Sequence, residues 1–249
     1  MGLVFRDDSD LIFLKECEND DLDILIQYLE YGTGKKNDKR ITAELIHEDR
    51  YKQYAPNHKL YWDLIAAELQ SYGGNTIANT FRGGKGVCYR EILIDVCKKM
   101  KVNFNEKSPI EVIELALLSK ILIDSLDKMD DEQLKETIVS LGIKSTNLGK
   151  QAIVAAIQAA ISLGKFQAYA LAVIVANAIA KQILGHGLRM ATNAALTRAM
   201  SLFAGPIGWV ITALWTIIDL AGPAYRVTVP AVIHIAYMRT LNHDTLRLQ

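Results

Sequence analysis

The chain has 249 residues, half of them hydrophobic, and its 28 Lys+Arg balance 28 Asp+Glu, so a substantial core is available at zero formal net charge. The charge is unevenly placed: residues 1–150 hold 21 Lys+Arg and 26 Asp+Glu, whereas residues 151–249 hold 7 and 2. A cationic, apolar second part suits either the acidic first part of the same molecule or an anionic membrane surface, and with no basic stripe interleaved with aromatics it excludes nucleic acid as the expected partner.

Asp7, Asp8 and Asp10 stand where a signal peptide needs an apolar core, so a cytoplasmic chain is expected. Cys17, Cys88 and Cys97 have neither metal nor redox spacing and read as buried free thiols. Residues 10–31 predict two short helices on either side of an acidic break, and 42–54 predicts a charged helix ending before Pro56. Tyr61, Leu64, Ile65, Leu69 and Tyr72 make one apolar stripe that also contains Glu68.

A glycine-rich corner at 73–86 follows, then a helix with Tyr89, Ile92, Leu93, Val96, Cys97 and Met100 on one face. Lys85 is followed by Gly86 and preceded by a helix, so the P-loop pattern fails. Arg82, Lys85 and Arg90 cluster at the rim of the corner as a weak anion or partner site. Ser108-Pro109 starts a helix carrying Ile110, Ile113, Leu117, Leu118, Ile121 and Leu122, and Asp130 with Gln133 forms a capping box, Met129 and Leu134 stapling it.

At 141–147 the composition changes, which divides the chain into an acidic N-terminal helical domain, 1–145, and an apolar, cationic C-terminal helical region, 146–249. Ala-rich helices are predicted at 151–163 and 166–184, and Gly185-His186-Gly187 breaks the second. No charge occurs in 166–180 or in 199–218. The first run reaches only about 22 Å of helix against a hydrocarbon core of about 30 Å, and Gly205-Pro206 is expected to interrupt the second. These runs predict a buried apolar hairpin, formed by 151–184 or by 199–218, with Phe166, Tyr169, Val173, Trp209 and Trp215 as membrane or client contacts. The last segment is expected to be extended through Val229 and helical from Pro230. The fold class is all-α, a multi-helix bundle with that apolar C-terminal hairpin.

No metalloprotease, paired-cysteine, nucleophile-elbow or dinucleotide motif is present, and the five histidines lie far apart. His186 and His234 read as structural. Neither catalytic residues, metal nor cofactor are assigned. Glu68 and Asp95, flanking the corner with Arg82 and Arg90 nearby, read as a salt-bridged corner or as an acid pair.

The segment WDLIAAELQSYGGNTIANTFRGG with YREILIDVCKKMKV, together with LGHGL, GPIG and AYRVTVPAVIHIAYMR, resembles the uncharacterised YaaW-like family of bacterial proteins, grouped with the ubiquinol-cytochrome c chaperones. The YaaW-like resemblance runs over nearly the whole chain, and the likeness to the chaperones lies at 61–118. It implies a helical protein that assists assembly of a membrane complex. Three readings follow: a non-enzymatic binding or assembly protein that engages a membrane or membrane-protein client through its C-terminal region, a pore-forming-type effector with an insertable hairpin, and an enzyme of unrecognised type. The first is cytoplasmic, with peripheral attachment to the inner membrane, and is compatible with a homo-oligomer.

Overall fold

The computed structural model describes residues 2–32, 44–73, 86–140, 149–162, 168–189, 194–221 and 224–247; for some helical residues, Trp215 among them, the backbone alone is described. Among the described residues every regular element is helical, as the 3.6-residue periodicity predicts. The α-helices are α1 (Asn19–Tyr31), α2 (Asp49–Tyr54), α3 (Trp62–Gly73), α4 (Tyr89–Lys99), α5 (Ile110–Leu126), α6 (Asp131–Ser140), α7 (Lys150–Ser162), α8 (Ala168–Leu184), α9 (Ala194–Ala221) and α10 (Tyr225–Arg247). Single 3-10 turns lie at Ile12–Glu16, Leu45–His47 and His58–Tyr61. The expected helix over 42–54 is thus split at Glu48, whose ψ of 138° is extended.

Two helices carry runs of ten or more residues buried on every side. In α10 all residues of 227–238 are buried, and in α8 all of 171–180. A helix apolar all round has no solvent face to offer, so other elements must surround it. α10 is packed by α1, α3, α4, α5, α8 and α9, and α8 by α5, α9 and α10. The buried apolar residues form one cluster from Leu11 to Met238.

The N-terminal segment straps this core. The side-chain amide of Gln70 on α3 accepts from the Arg6 amide at 2.9 Å and donates to the Arg6 carbonyl at 2.9 Å, as a strand partner would. Two residues on, the Asp8 carboxylate accepts from the Tyr89 amide at 2.7 Å. It therefore caps α4 from 81 residues away, where a negative charge also meets the positive end of the helix dipole.

α3 and α4 pack across the glycine corner. The amide of Val87 donates to the Gln70 carbonyl at 3.1 Å. A Cβ on Gly86 would come within 2.4 Å of the Gln70 backbone, so only glycine allows this approach. Leu93 is fully buried in the α4 face. Leu93→Ala is expected to cost about 2 to 5 kcal/mol in chemical denaturation; a loss below about 1 kcal/mol would mean that the face yields without a cavity. The capping box of α6 also forms: the Gln133 amide donates to Asp130 Oδ1 at 2.8 Å and the Asp130 amide to Gln133 Oε1 at 3.1 Å, with Met129 and Leu134 buried beside it.

Pro206 and Pro230, expected at helix boundaries, lie inside helices. Pro206 sits within α9, which continues for 28 residues, and Pro230 is the sixth residue of α10. An internal proline costs about 3 kcal/mol, while burying the α9 face of Phe203, Ile207, Val210 and Ile211 returns about 1.5 to 3 kcal/mol per side chain. The β-like run 226–229 is accordingly helical.

The expected hairpin of 151–184 is not what packs. α7 rests on α5 and α6, and the extensive partner of α8 is α9. After α8 the chain doubles back, with the Leu188 amide donating to Asn177 Oδ1 at 3.1 Å. Gln182 then meets Thr212 of α9 at 3.3 Å. Were α9 antiparallel to α8, its start would lie about 28 Å along the axis from Leu188, counting about 1.5 Å per helical residue. The intervening chain reaches only about 20 Å. α9 therefore runs in the same general direction as α8, and the pair is not a hairpin.

Candidate functional site

A groove of about 550 Å³ lies at the start of α1. It is lined by Asn19, Asp20, Asp21, Asp23 and Gln27 of α1, by Pro56 and His58, and by His186, Gly187 and Arg189 of the turn after α8. Gly185, with φ 80°, allows that turn to leave the helix. Gly187 lies so close to α8 that a Cβ would stand 2.4 Å from Asn177 Oδ1. Arg189 reaches Asp20 at 4.0 Å, and His58 Nε2 lies 3.5 Å from Asp23 while its Nδ1 bonds to the Tyr61 hydroxyl. Burial, with Asp20 and Glu18 adding to it, pushes the Asp21 carboxyl up to about 6. Among the described residues no group of three or more His, Cys, Asp and Glu is placed to hold a metal ion.

A buried polar junction joins α10, α5, α4 and the N-terminal segment. Arg239 of α10 donates through Nε to both oxygens of Glu114 on α5, at 3.1 and 3.0 Å, and through Nη2 to the Asp10 carbonyl at 2.6 Å. The Tyr89 hydroxyl of α4 donates to Glu114 at 2.7 Å, and the guanidinium lies 4.3 Å from the Phe13 ring centroid. Burial pushes the Glu114 carboxyl up, and Arg239 and Tyr89 pull it back. Four separate elements are thereby tied to one carboxylate. The sequence signal was a lone acid and a lone base on otherwise apolar faces, neither of which names its partner.

The second buried carboxylate, Glu68, accepts from the amides of Glu44 and Leu45 at 3.1 to 3.2 Å, and burial pushes it up to about 7. Asp95 is exposed, so the two acids flanking the corner occupy opposite environments. Since Glu68 holds its proton to higher pH in the folded state than its ordinary 4.5, its contribution to stability is full below pH 4.5 and falls as pH rises toward 7. Glu68→Gln keeps an acceptor for the amides and cannot ionise. Relative to the unsubstituted chain it is expected to gain about 1 to 3 kcal/mol between pH 5 and pH 8; urea denaturation at both pH values checks this, and parallel stabilities would show that Glu68 does not titrate there.

The residues singled out from sequence fall in different places. Arg82, Lys85 and Phe166 lie outside the described residues, as does the side chain of Trp215. Arg90 donates to the carbonyls of Glu106 and Ser108 at 3.1 and 2.9 Å, and so pins the loop that leads into α5. Tyr169 is half-buried against the core, Val173 is fully buried, and Trp209 is 69% exposed. Charge polarity is met partly within the molecule: Arg189, Arg198 and Arg239 reach Asp20, Glu136 and Glu114. Among the described residues, no helix is long and apolar enough to cross a membrane.

The family described as ubiquinol-cytochrome C chaperone matches residues 57–233. The chain belongs to that family. The match begins just before the 3-10 turn at His58–Tyr61 and ends inside α10, so it takes in Glu68, Tyr89, Glu114 and the whole of α8 and α9. It is longer than the likeness expected over 61–118. A domain of unknown function matches residues 5–41, the strap and α1. Relatives extend the family over nearly the full length. A UPF0174 protein of Helicobacter pylori strain J99 is 49% identical over 252 residues, covering 99% of this chain and 98% of its own. The UPF0174 protein YaaW of Escherichia coli K12 is 31% identical over 248 residues, covering 97% and 98%. These bear out the YaaW-like resemblance. No solved structure matches the chain.

Proposed function

We propose that this protein is a non-enzymatic, chaperone-like assembly factor, cytoplasmic and peripheral at the inner membrane, whose C-terminal apolar region, 146–249, engages a membrane-protein client at an anionic lipid surface. The family's chaperone description supports the assembly role. The observation that carries the contact surface is the outward face of α9. Phe203, Ile207 and Ile211 face the core, while Ser201, Gly205, Trp209, Thr212 and Ala213 are exposed in a run without charge from 199 to 218. Small residues let another helix approach closely, and an exposed tryptophan suits the boundary between lipid and water.

Flotation of the full chain with vesicles of anionic lipid at low salt tests this reading, since electrostatic attraction is strongest there. The unsubstituted protein is expected to float, and Trp209→Ser to lose most of that binding. An exposed substitution changes stability by only about 0.5 kcal/mol, so an unchanged thermal midpoint separates lost contact from lost fold. A wild-type chain that stays wholly with the aqueous fraction would remove membrane engagement from the proposal.

A further inference from the structure

The strap, residues 2–10, forms no regular element through Asp8, and its side chains differ in burial along the segment: Val4, Asp7 and Ser9 are exposed, Leu3, Phe5 and Arg6 half-buried, Asp8 buried. It sits in a seat that holds it in two ways. The Glu48 carboxylate accepts from the Leu3 amide at 2.7 Å, and Gln70, 1% exposed, closes on both the amide and the carbonyl of Arg6. These bonds ask only for a backbone. The Phe5 ring meets the Trp62 ring edge-on at 5.2 Å, Arg6 Nη1 donates to the Gly86 carbonyl at 3.0 Å and lies 3.9 Å from Glu91, and Asp8 accepts from the Tyr89 amide at 2.7 Å. These contacts ask for particular side chains. Main-chain bonds for affinity and side-chain seats for choice are how sites for extended peptides work.

Trp62, Gln70, Gly86, Tyr89 and Glu91 all lie within 57–233, the match to the chaperone family, whereas Phe5, Arg6 and Asp8 lie in the separate match at 5–41. One matched unit therefore builds most of the seat, and the other fills it. We propose that the strap is a tethered stand-in for a client: an extended polypeptide segment that carries an aromatic residue, a basic residue next to it and an acid two places further on displaces the strap and takes its seat.

Charge and tethering support this occupant. The cation of such a segment meets the Gly86 carbonyl and Glu91, as Arg6 does, and its acid meets an amide at the positive end of the α4 dipole, as Asp8 does. The strap, being part of the chain, holds the seat at an effective concentration in the millimolar range, so a free segment enters measurably only when the strap is loosened or the segment is abundant. The inference rests on the client reading above, which supplies the polypeptide, and adds a contact outside 146–249.

A fluorescent peptide of the strap sequence, residues 2–10, stands in for the client segment, and its anisotropy is read against the full chain without lipid. Phe5→Ala with Asp8→Ala loosens the strap and leaves every residue of the seat in place. The peptide is expected to bind this variant about tenfold tighter than it binds the unsubstituted chain, and a peptide with alanine at the places of Phe5 and Asp8 is expected to bind the variant about tenfold more weakly. Equal affinity for the two proteins or for the two peptides, or no binding at all, would overturn the proposal, as would a dimer in sedimentation that the peptide dissolves, since the seat would then belong to the strap of a second copy. Should the variant fail to fold, amide exchange of the unsubstituted chain by NMR decides at millimolar peptide: faster exchange at Leu3 and Arg6 upholds the displacement, and unchanged exchange overturns it. The absence of lipid keeps the two tests apart, because a failed peptide leaves flotation through Trp209 untouched and failed flotation leaves peptide binding untouched.

Discussion

Arg239→Met is expected to cost about 3 to 5 kcal/mol, a large part of the 5 to 15 kcal/mol that holds a domain of ordinary stability together. The methionine fills much of the arginine's volume, so the loss is electrostatic. Glu114 would remain buried with only the Tyr89 hydroxyl to satisfy it, and the Asp10 carbonyl would lose its 2.6 Å donor. The pair need not add net stability to have this effect, because the cost of stranding one buried charge exceeds the net worth of the pair. Removing both charges is the informative control: Glu114→Leu with Arg239→Met is expected to lie closer to wild type than the single variant does. Urea denaturation of the three proteins checks this. A single variant within about 1 kcal/mol of wild type would show that water reaches Glu114 in the folded state, and the four-element junction would lose its importance.

Val173→Asp is expected to leave no folded protein. Val173 is fully buried in α8, in a run of ten buried residues, and none of the described side chains in that run is a cation. A lone carboxylate there must either take up a proton or unfold its surroundings, and either route costs several kcal/mol. Val173→Thr, of nearly the same shape, is expected to cost about 1 to 3 kcal/mol and still fold. Circular dichroism and sedimentation of both variants separate the outcomes. If Val173→Asp folds with an unchanged thermal midpoint, α8 is not part of a closed core and is itself a contact surface.

The elements whose burial is one-sided were readable in advance. Along 89–100 and 110–122 each helix has one wet face and one dry face, and that contrast is written into the residue spacing. The α6 capping box was readable for the same reason, since all its partners lie within five residues. The family resemblance was readable because residues spread along the chain carried it together.

Other features depended on partners distant in sequence. Helices buried on every side, α8 and α10, have no alternation to record which neighbour covers which face, and their spacing is silent on direction. A local rule put helix boundaries at Pro206 and Pro230, yet burial along a whole helix face outweighs one missing hydrogen bond. Glu114 and Arg239 stand 125 residues apart, and Asp8 caps a helix 81 residues away. Each is an ordinary charged residue until the fold removes water from around it, because only then does a charge need a particular partner. What the chain by itself determined is which segments are helical and which faces are dry; which dry faces meet, and which buried charges are joined, was decided only when six helices and the first 3-10 turn closed around α10.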